Sequence, residues 1–163
     1  MLLLLKNILF TVLVPGTVAF YVPFRIAGGA AAVSLDWSPW KIAALPSLLL
    51  GGAIYFRCLF DFGVTGRGTP APIDAPKHLV ARGLYRHVRN PMYIGVLLII
   101  VSWALFFESK EILGYSVAVG LFFHLFVVFV EEPLLGRKFG ESYSSYCKKV
   151  GRWLPKFAGP FTG

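Results

Sequence analysis

The sequence predicts an all-α integral membrane protein, and three observations support that fold class. Of the 163 residues, 56% are hydrophobic and 15% are charged, whereas soluble domains contain about 25% charged residues. The mean hydropathy is +0.68. The apolar residues also fall into four long runs with polar segments between them. We therefore predict one membrane domain over residues 1–163, with about four transmembrane helices.

Each apolar run is close to the roughly 17–25 residues that a helix needs to cross a bilayer. The predicted spans are residues 8–24, 40–60, 91–107 and 112–130. We interpret the first run as a retained span, because no small-residue cleavage site follows it cleanly. The third and fourth spans are joined by residues 108–111 alone, and so short a link predicts an antiparallel helical hairpin at the C-terminal side.

The basic residues lie mostly on one side of this layout. Five lysines and arginines occur in the 62–90 loop and six in the tail 133–163, but only Arg25, Lys41 and Lys110 lie in the opposite loops. The positive-inside rule therefore places both termini in the cytoplasm, and we expect a prokaryotic inner membrane. The net charge of +8 is explained by topology and lipid headgroups, so we expect no nucleic-acid partner. Cys58 and Cys147 have no metal-ligand spacing, so no metal site is expected.

A basic and aromatic motif, GLYRHVRNPMYIG, lies at the start of the third span, over Gly83–Gly95. Asn90 is a good N-cap and Pro91 suits a first helical turn, so the third helix is predicted to begin here. Its free N–H groups can hold an anionic group such as a carboxylate. An interfacial anchor is the alternative interpretation. The basic residues beside this helix start are Arg86, His87 and Arg89.

An acidic pair, Glu131-Glu132, ends the fourth span, where it opposes the helix dipole. Pairing with Arg86 or Arg89 would explain it structurally, and binding of hydroxyls, amines or a cationic centre would explain it functionally. His124 lies within the same span and is a functional candidate, because ionisable residues inside membranes usually are. The alternative for His124 is a hydrogen bond to nearby backbone, Ser102 or Ser116.

The tail after Pro133 alternates apolar and basic residues. It is predicted to form one amphipathic interfacial helix that ends near Gly151. This helix is either a membrane-surface anchor or a lid over a pocket that faces the cytoplasm.

The two motifs together resemble the isoprenylcysteine carboxyl methyltransferase family, which is related to the phospholipid N-methyltransferases. They are GLYRHVRNPMYIG and EEPLLGRKFGESYSSYCKKVGRWLP, with a hydrophobic hairpin between them. The resemblance covers about Lys77–Pro155. It implies a methyltransferase that uses S-adenosylmethionine without a Rossmann fold, in a pocket formed by the 62–90 loop and the tail 133–163. The cofactor-binding residues that it implies are Lys77, His78, Leu79, Val80, Tyr85, Asn90, Pro91, Met92, Tyr93 and Glu131.

The chemistry of the cofactor agrees with this placement. The third-span helix start suits its carboxylate, Glu131 or Glu132 suits its amino group or ribose, and Tyr85 or Tyr93 suits its adenine or sulfonium. Methyl transfer needs alignment and exclusion of water more than acid–base machinery. The acceptor is expected to be a lipophilic small molecule or a prenylated molecule that enters from the bilayer.

Two positions depart from the family pattern. The family's Arg-His-Pro is Arg89-Asn90-Pro91 here, and Val127 stands where members acting on prenylcysteine carry an arginine. The nearest substitute is His124, which when neutral can accept a proton from an amine or hydroxyl nucleophile. The candidate catalytic residues are His124, Arg89 and Glu132.

Other functions compete with this interpretation. A phospholipid amine N-methyltransferase is the nearest alternative. A haem protein would use His87 and His124 as axial ligands. A proton-coupled transporter would use His124 and Glu131, but the two halves show no internal repeat. The acceptor, the choice among O-, N- and S-methylation and the oligomeric state stay open at this stage.

Overall fold

The computed structural model describes residues 9, 11–29, 33, 36–63 and 79–156, and these contain five helices. They are α1 (Thr11–Ile26), α2 (Pro39–Asp61), α3 (Pro91–Phe106), α4 (Lys110–Phe139) and α5 (Glu141–Lys149). A 3₁₀ turn, Gly83–Arg86, precedes α3. The described residues form no strand beyond a single parallel bridge between Val88 and Gly151. The all-α prediction is confirmed.

The first four helices coincide with the four predicted apolar runs. Two of them, α2 and α4, are long and apolar enough to cross a membrane, and in each only 22% of the best 18-residue window is buried. Their apolar side chains therefore face outwards, as in a helix surrounded by lipid. Helices α1 and α3 are apolar but shorter. That all four cross a bilayer stays a prediction, as does the single-domain layout.

Helices α2 and α3 pack with their backbones almost in contact. A Cβ added to Gly51 would lie 2.7 Å from the carbonyl oxygen of Gly95, and one added to Gly95 would lie 2.9 Å from the carbonyl oxygen of Gly51. The Ser47 hydroxyl also donates to the carbonyl of Leu98 at 2.9 Å. Small residues allow this close approach. Close packing of this kind holds helices together where the hydrophobic effect between them is weak, as it is between helices in lipid.

The hydrophobic core lies between α1, α2, α3 and α4. Its buried residues are Ala19, Tyr55, Val96, Ile99, Ile100, Ala104, Ile112 and Val119. Two of the helices begin at side-chain caps, because the hydroxyl of Ser38 accepts from Lys41 N–H and that of Ser109 accepts from Ile112 N–H.

Helix α4 does not end where the predicted fourth span ends, at residue 130. The prediction of a single tail helix is wrong, because the tail residues are divided between the end of α4 and α5. The helix continues to Phe139, through a π-helical turn at Val127–Glu131. In that turn backbone hydrogen bonds connect residues five apart. Pro133 lies in the first turn of the regular helix that follows, where proline, which lacks an N–H, is tolerated. The chain then turns at Gly140, whose φ of 52° favours glycine, and α5 begins.

Candidate functional site

The loop that leads into α3 is held by buried aromatic residues. The 3₁₀ turn Gly83–Arg86 carries Tyr85, which packs with Cys58 and Val80 in a small buried cluster. From α5, the hydroxyl of Tyr146 donates to the carbonyl of Tyr85 at 2.7 Å. Burial raises the pKa of both Tyr85 and Tyr146, so both hydroxyls stay protonated and can donate. This loop is therefore a fixed part of the structure.

The segment Val150–Lys156, which we call the C-terminal strap, crosses the start of α3. The backbone N–H of Arg89 donates to the carbonyl of Gly151 at 2.8 Å. The side-chain amide of Asn90 donates to the carbonyl of Arg152 at 3.2 Å. Asn90 is the N-cap residue of α3, as predicted, but its side chain makes no cap hydrogen bond and instead bonds the strap.

Glu132 is the centre of a charged cluster under the strap. The guanidinium of Arg152 donates to both of its carboxylate oxygens at 2.8 Å, and Arg89 Nη2 lies 3.3 Å from Oε1. The other terminal nitrogen of Arg89 donates to Cys147 Sγ at 2.6 Å. The pKa of Arg152 is raised by its hydrogen bond to Glu132. The predicted pairing of the acidic pair with Arg89 is confirmed, and it joins the strap to α4 and to the start of α3.

Glu131 faces a different neighbour from Glu132. Its Oε2 accepts a hydrogen bond from the hydroxyl of Tyr93 at 2.9 Å, and both residues line a cavity of about 80 Å³ between α1, α2, α3 and α4. The cavity is lined by Val14, Pro15, Val18, Tyr55, Phe62, Met92, Tyr93, Val96, Phe123 and Glu131. Three of the predicted cofactor residues, Met92, Tyr93 and Glu131, thus meet at one place.

His124 lies on the exposed side of α4 and is joined to the strap. Its Nδ1 accepts a hydrogen bond from Trp153 Nε1 at 3.1 Å. The alternative partners considered from sequence, Ser102 and Ser116, instead donate to carbonyls of their own helices. The ring of Trp153 lies 6.4 Å from that of Tyr93, so Trp153 connects His124 with the cavity that contains Glu131.

The other predicted residues are spread around this centre. Leu79 packs against the buried cluster of Tyr143, Tyr146 and Val150, and Val80 against Cys58 and Tyr85. Neither side chain lines the cavity of about 80 Å³. Lys77 and His78 lie outside the described residues. Sequence reasoning missed Arg152 and Trp153 as site residues, because their basic and aromatic character already fitted an interfacial tail.

A second, much larger cavity adjoins the first. It measures about 1200 Å³, lies between α1, α2 and α3, and shares Pro15, Tyr55 and Val96 with the small cavity. Phe20 and Phe56 line it and are exposed, so it opens onto the apolar outer surface. Where the two cavities meet, the Tyr55 hydroxyl donates to Thr11 Oγ1 at 3.0 Å.

These features define a small helical membrane protein with a polar site at one end of its apolar helices, covered by its own C-terminal strap. The chain belongs to the phospholipid methyltransferase family, whose profile matches residues 40–142. The resemblance drawn from the two sequence motifs is therefore confirmed.

Two relatives show how far the similarity extends. The protein-S-isoprenylcysteine O-methyltransferase of Schizosaccharomyces pombe is 30% identical over 130 residues, which are 76% of this chain. The chain spans only 52% of the length of that relative. An uncharacterized protein of Haemophilus influenzae is 39% identical over 64 residues, which are 39% of this chain and all of that protein. No solved structure matches the chain.

Proposed function

We propose that the protein transfers a methyl group from S-adenosylmethionine to a lipophilic acceptor at the membrane–cytoplasm interface. One observation carries the proposal: the cavity formed by Glu131, Tyr93 and Met92 lies beside the strap and adjoins a large apolar cavity that opens outwards, with Pro15, Tyr55 and Val96 lining both. A polar ligand from water and an apolar ligand from the bilayer can therefore approach the same point. Membership of the phospholipid methyltransferase family supports the reaction type.

The residues beside the small cavity fit the chemical groups of the cofactor. The Glu131 carboxylate suits its amino group or ribose hydroxyls, and Tyr93 offers an aromatic face. Arg89 Nε is buried and has no hydrogen-bond partner among the described residues, so one donor remains for a carboxylate. A volume of about 80 Å³ is well below the roughly 300–1000 Å³ of ligand pockets. Binding therefore requires this cavity to widen, and we propose that the strap moves, because the Trp153 ring lies 6.4 Å from that of Tyr93.

When bound, the cofactor supplies an electrophilic methyl group on a sulfonium. The protein contributes orientation and exclusion of water. Arg89 and Arg152 are committed to Glu132, so Glu132, predicted as catalytic, acts as a positioning residue that holds these cations and the strap. The Nδ1 lone pair of His124 accepts the N–H of Trp153, so His124 can take the proton of an amine or hydroxyl acceptor at that nitrogen only after Trp153 has moved away.

The apolar cavity supports an acceptor with a long hydrocarbon part. Val127, at the position where prenylcysteine methyltransferases resembling this chain carry an arginine, is buried and offers no charge to a carboxylate. Glu131, by contrast, attracts a cationic amine. A phospholipid amine is therefore the second candidate acceptor. We further propose that both termini face the cytoplasm of a prokaryotic inner membrane.

The cofactor site is tested by isothermal titration of detergent-purified protein with S-adenosylhomocysteine. We expect micromolar binding by the wild type and its loss in Glu131→Gln, because the carboxylate is the anionic group of the cavity. Glu111→Gln is the matched control, since Glu111 lies at the opposite end of the same helix, where its carboxylate accepts a hydrogen bond from Ser109. Absence of binding by folded wild type, or equal binding by both variants and wild type, contradicts the proposal.

A further inference from the structure

Asp61, the last residue of α2, is fully buried although it is a carboxylate. Its side chain is 0% exposed and lies between two arginines, with Arg57 Nε at 3.4 Å and Arg82 Nε at 3.5 Å. Neither carboxylate oxygen accepts a hydrogen bond among the described residues. A buried charge is costly unless it is paired, so this arrangement needs a reason beyond helix stability.

The two arginines hold Asp61 to different parts of the chain. Arg57 is one turn earlier on α2, so its pair lies within one helix. Arg82 lies in the loop before α3, so its pair joins the loop to the end of α2. Only the second pair can affect the position of the loop.

Gly83 adds an independent contact at the same point. Its φ is 56°, and a Cβ built there would overlap Asp61 Oδ2. The carboxylate therefore occupies the space that a side chain at residue 83 would need. The loop backbone rests directly against Asp61.

The turn that begins at Gly83 leads into the site. Tyr85 accepts the hydrogen bond from Tyr146 through its carbonyl, and Arg89 and Asn90 bond the strap. Met92 and Tyr93 follow within the first turn of α3. A shift of Gly83 thus displaces the strap contacts and the cavity that contains Glu131.

We propose that Asp61 is a positioning residue that fixes the loop through Arg82 and Gly83 and thereby sets the affinity of the site for S-adenosylmethionine. The inference rests on the proposed function. It does not place Asp61 in contact with the cofactor.

Cys58 provides a readout that is independent of the cofactor. It is 0% exposed and packs with Val80 and Tyr85, which belong to the anchored loop. Release of the loop must expose its thiol. Its alkylation by N-ethylmaleimide is followed by mass spectrometry of the peptide that contains Cys58, which separates it from Cys147.

The test compares Asp61→Asn and Arg82→Gln with the matched control Arg57→Gln. We expect the first two to speed alkylation of Cys58 and to raise the dissociation constant of S-adenosylhomocysteine by roughly tenfold, as expected when the competent conformation falls to about a tenth of molecules. Arg57→Gln should change neither, because its pair does not reach the loop.

Gly83→Ala keeps the Asp61 carboxylate, but its new Cβ pushes the loop away from that carboxylate. It therefore provides a second variant if Asp61→Asn does not fold. It should reproduce both effects. Protection of Cys58 in both Asp61→Asn and Gly83→Ala, or equal effects of Arg57→Gln and Arg82→Gln, overturns the proposal. If wild type binds no S-adenosylhomocysteine, the proposed function fails, but the alkylation rates still decide whether Asp61 anchors the loop.

Discussion

The close packing of α2 on α3 predicts opposite effects for two adjacent glycines. In Gly51→Ala the new Cβ would lie 2.7 Å from the Gly95 carbonyl oxygen and 3.0 Å from the backbone nitrogen of Ile99. These are backbone atoms, so they cannot rotate away and the helices must separate. A Cβ at Gly52 meets nothing within 4 Å, so Gly52→Ala is a control with the same change in side chain and helix propensity.

The expected change in the free energy of unfolding is the sum of two opposing contributions. Overpacking costs typically about 1–3 kcal/mol, and two backbone contacts at or below 3.0 Å place Gly51→Ala near the upper end. Replacement of glycine by alanine within a helix gains up to about 1 kcal/mol. We therefore expect Gly51→Ala to lower the free energy of unfolding by about 2 kcal/mol, and Gly52→Ala to leave it unchanged or raised by up to about 1 kcal/mol.

The assay is reversible unfolding in mixed micelles of mild detergent and dodecyl sulfate, followed by circular dichroism. The same samples report S-adenosylhomocysteine binding, which should weaken in Gly51→Ala because α2 and α3 carry Tyr55 and Tyr93 to the cavity. Equal stability of the two variants would show that the contact of α2 with α3 at Gly95 does not exist as described.

Two further predictions concern the charged cluster and the histidine. Glu132→Gln should weaken S-adenosylhomocysteine binding by about tenfold, since a partly buried ion pair worth about 1.4 kcal/mol no longer holds Arg152. Proteolysis within the strap should also become faster. Unchanged binding would refute the role of the ion pair. His124→Ala should lower methyl incorporation into lipid extracts measured at saturating cofactor. Trp153→Phe removes the same hydrogen bond and keeps the imidazole, so equal loss of rate in both variants would make His124 a support for Trp153 and exclude it as a base.

The length of the apolar runs was enough to predict the helices. The four apolar runs correspond to α1 to α4, as expected for apolar segments that satisfy their own backbone hydrogen bonds. The charge pattern offered pairing of the acidic pair with Arg86 or Arg89 as one of two explanations, and Arg89 does pair with Glu132. The order of the two sequence motifs was also sufficient to predict the family.

Contacts between distant residues required the tertiary structure. Asn90 has the sequence character of a cap, but Arg152, sixty-two positions later, takes its amide. Pro133 has the character of a helix breaker, but a π-helical turn before it lets the helix continue.

The sequence by itself therefore determined the fold class and the family, since these follow from residue type and local spacing, and it limited the arginine partner of the acidic pair to Arg86 or Arg89. Only the tertiary structure decided that Glu131 faces the cavity while Glu132 holds the strap, that Trp153 reaches His124 and that Asp61 supports Gly83. The physical reason is that hydrogen bonds and steric fit depend on distances of a few ångströms between segments that are far apart in the chain.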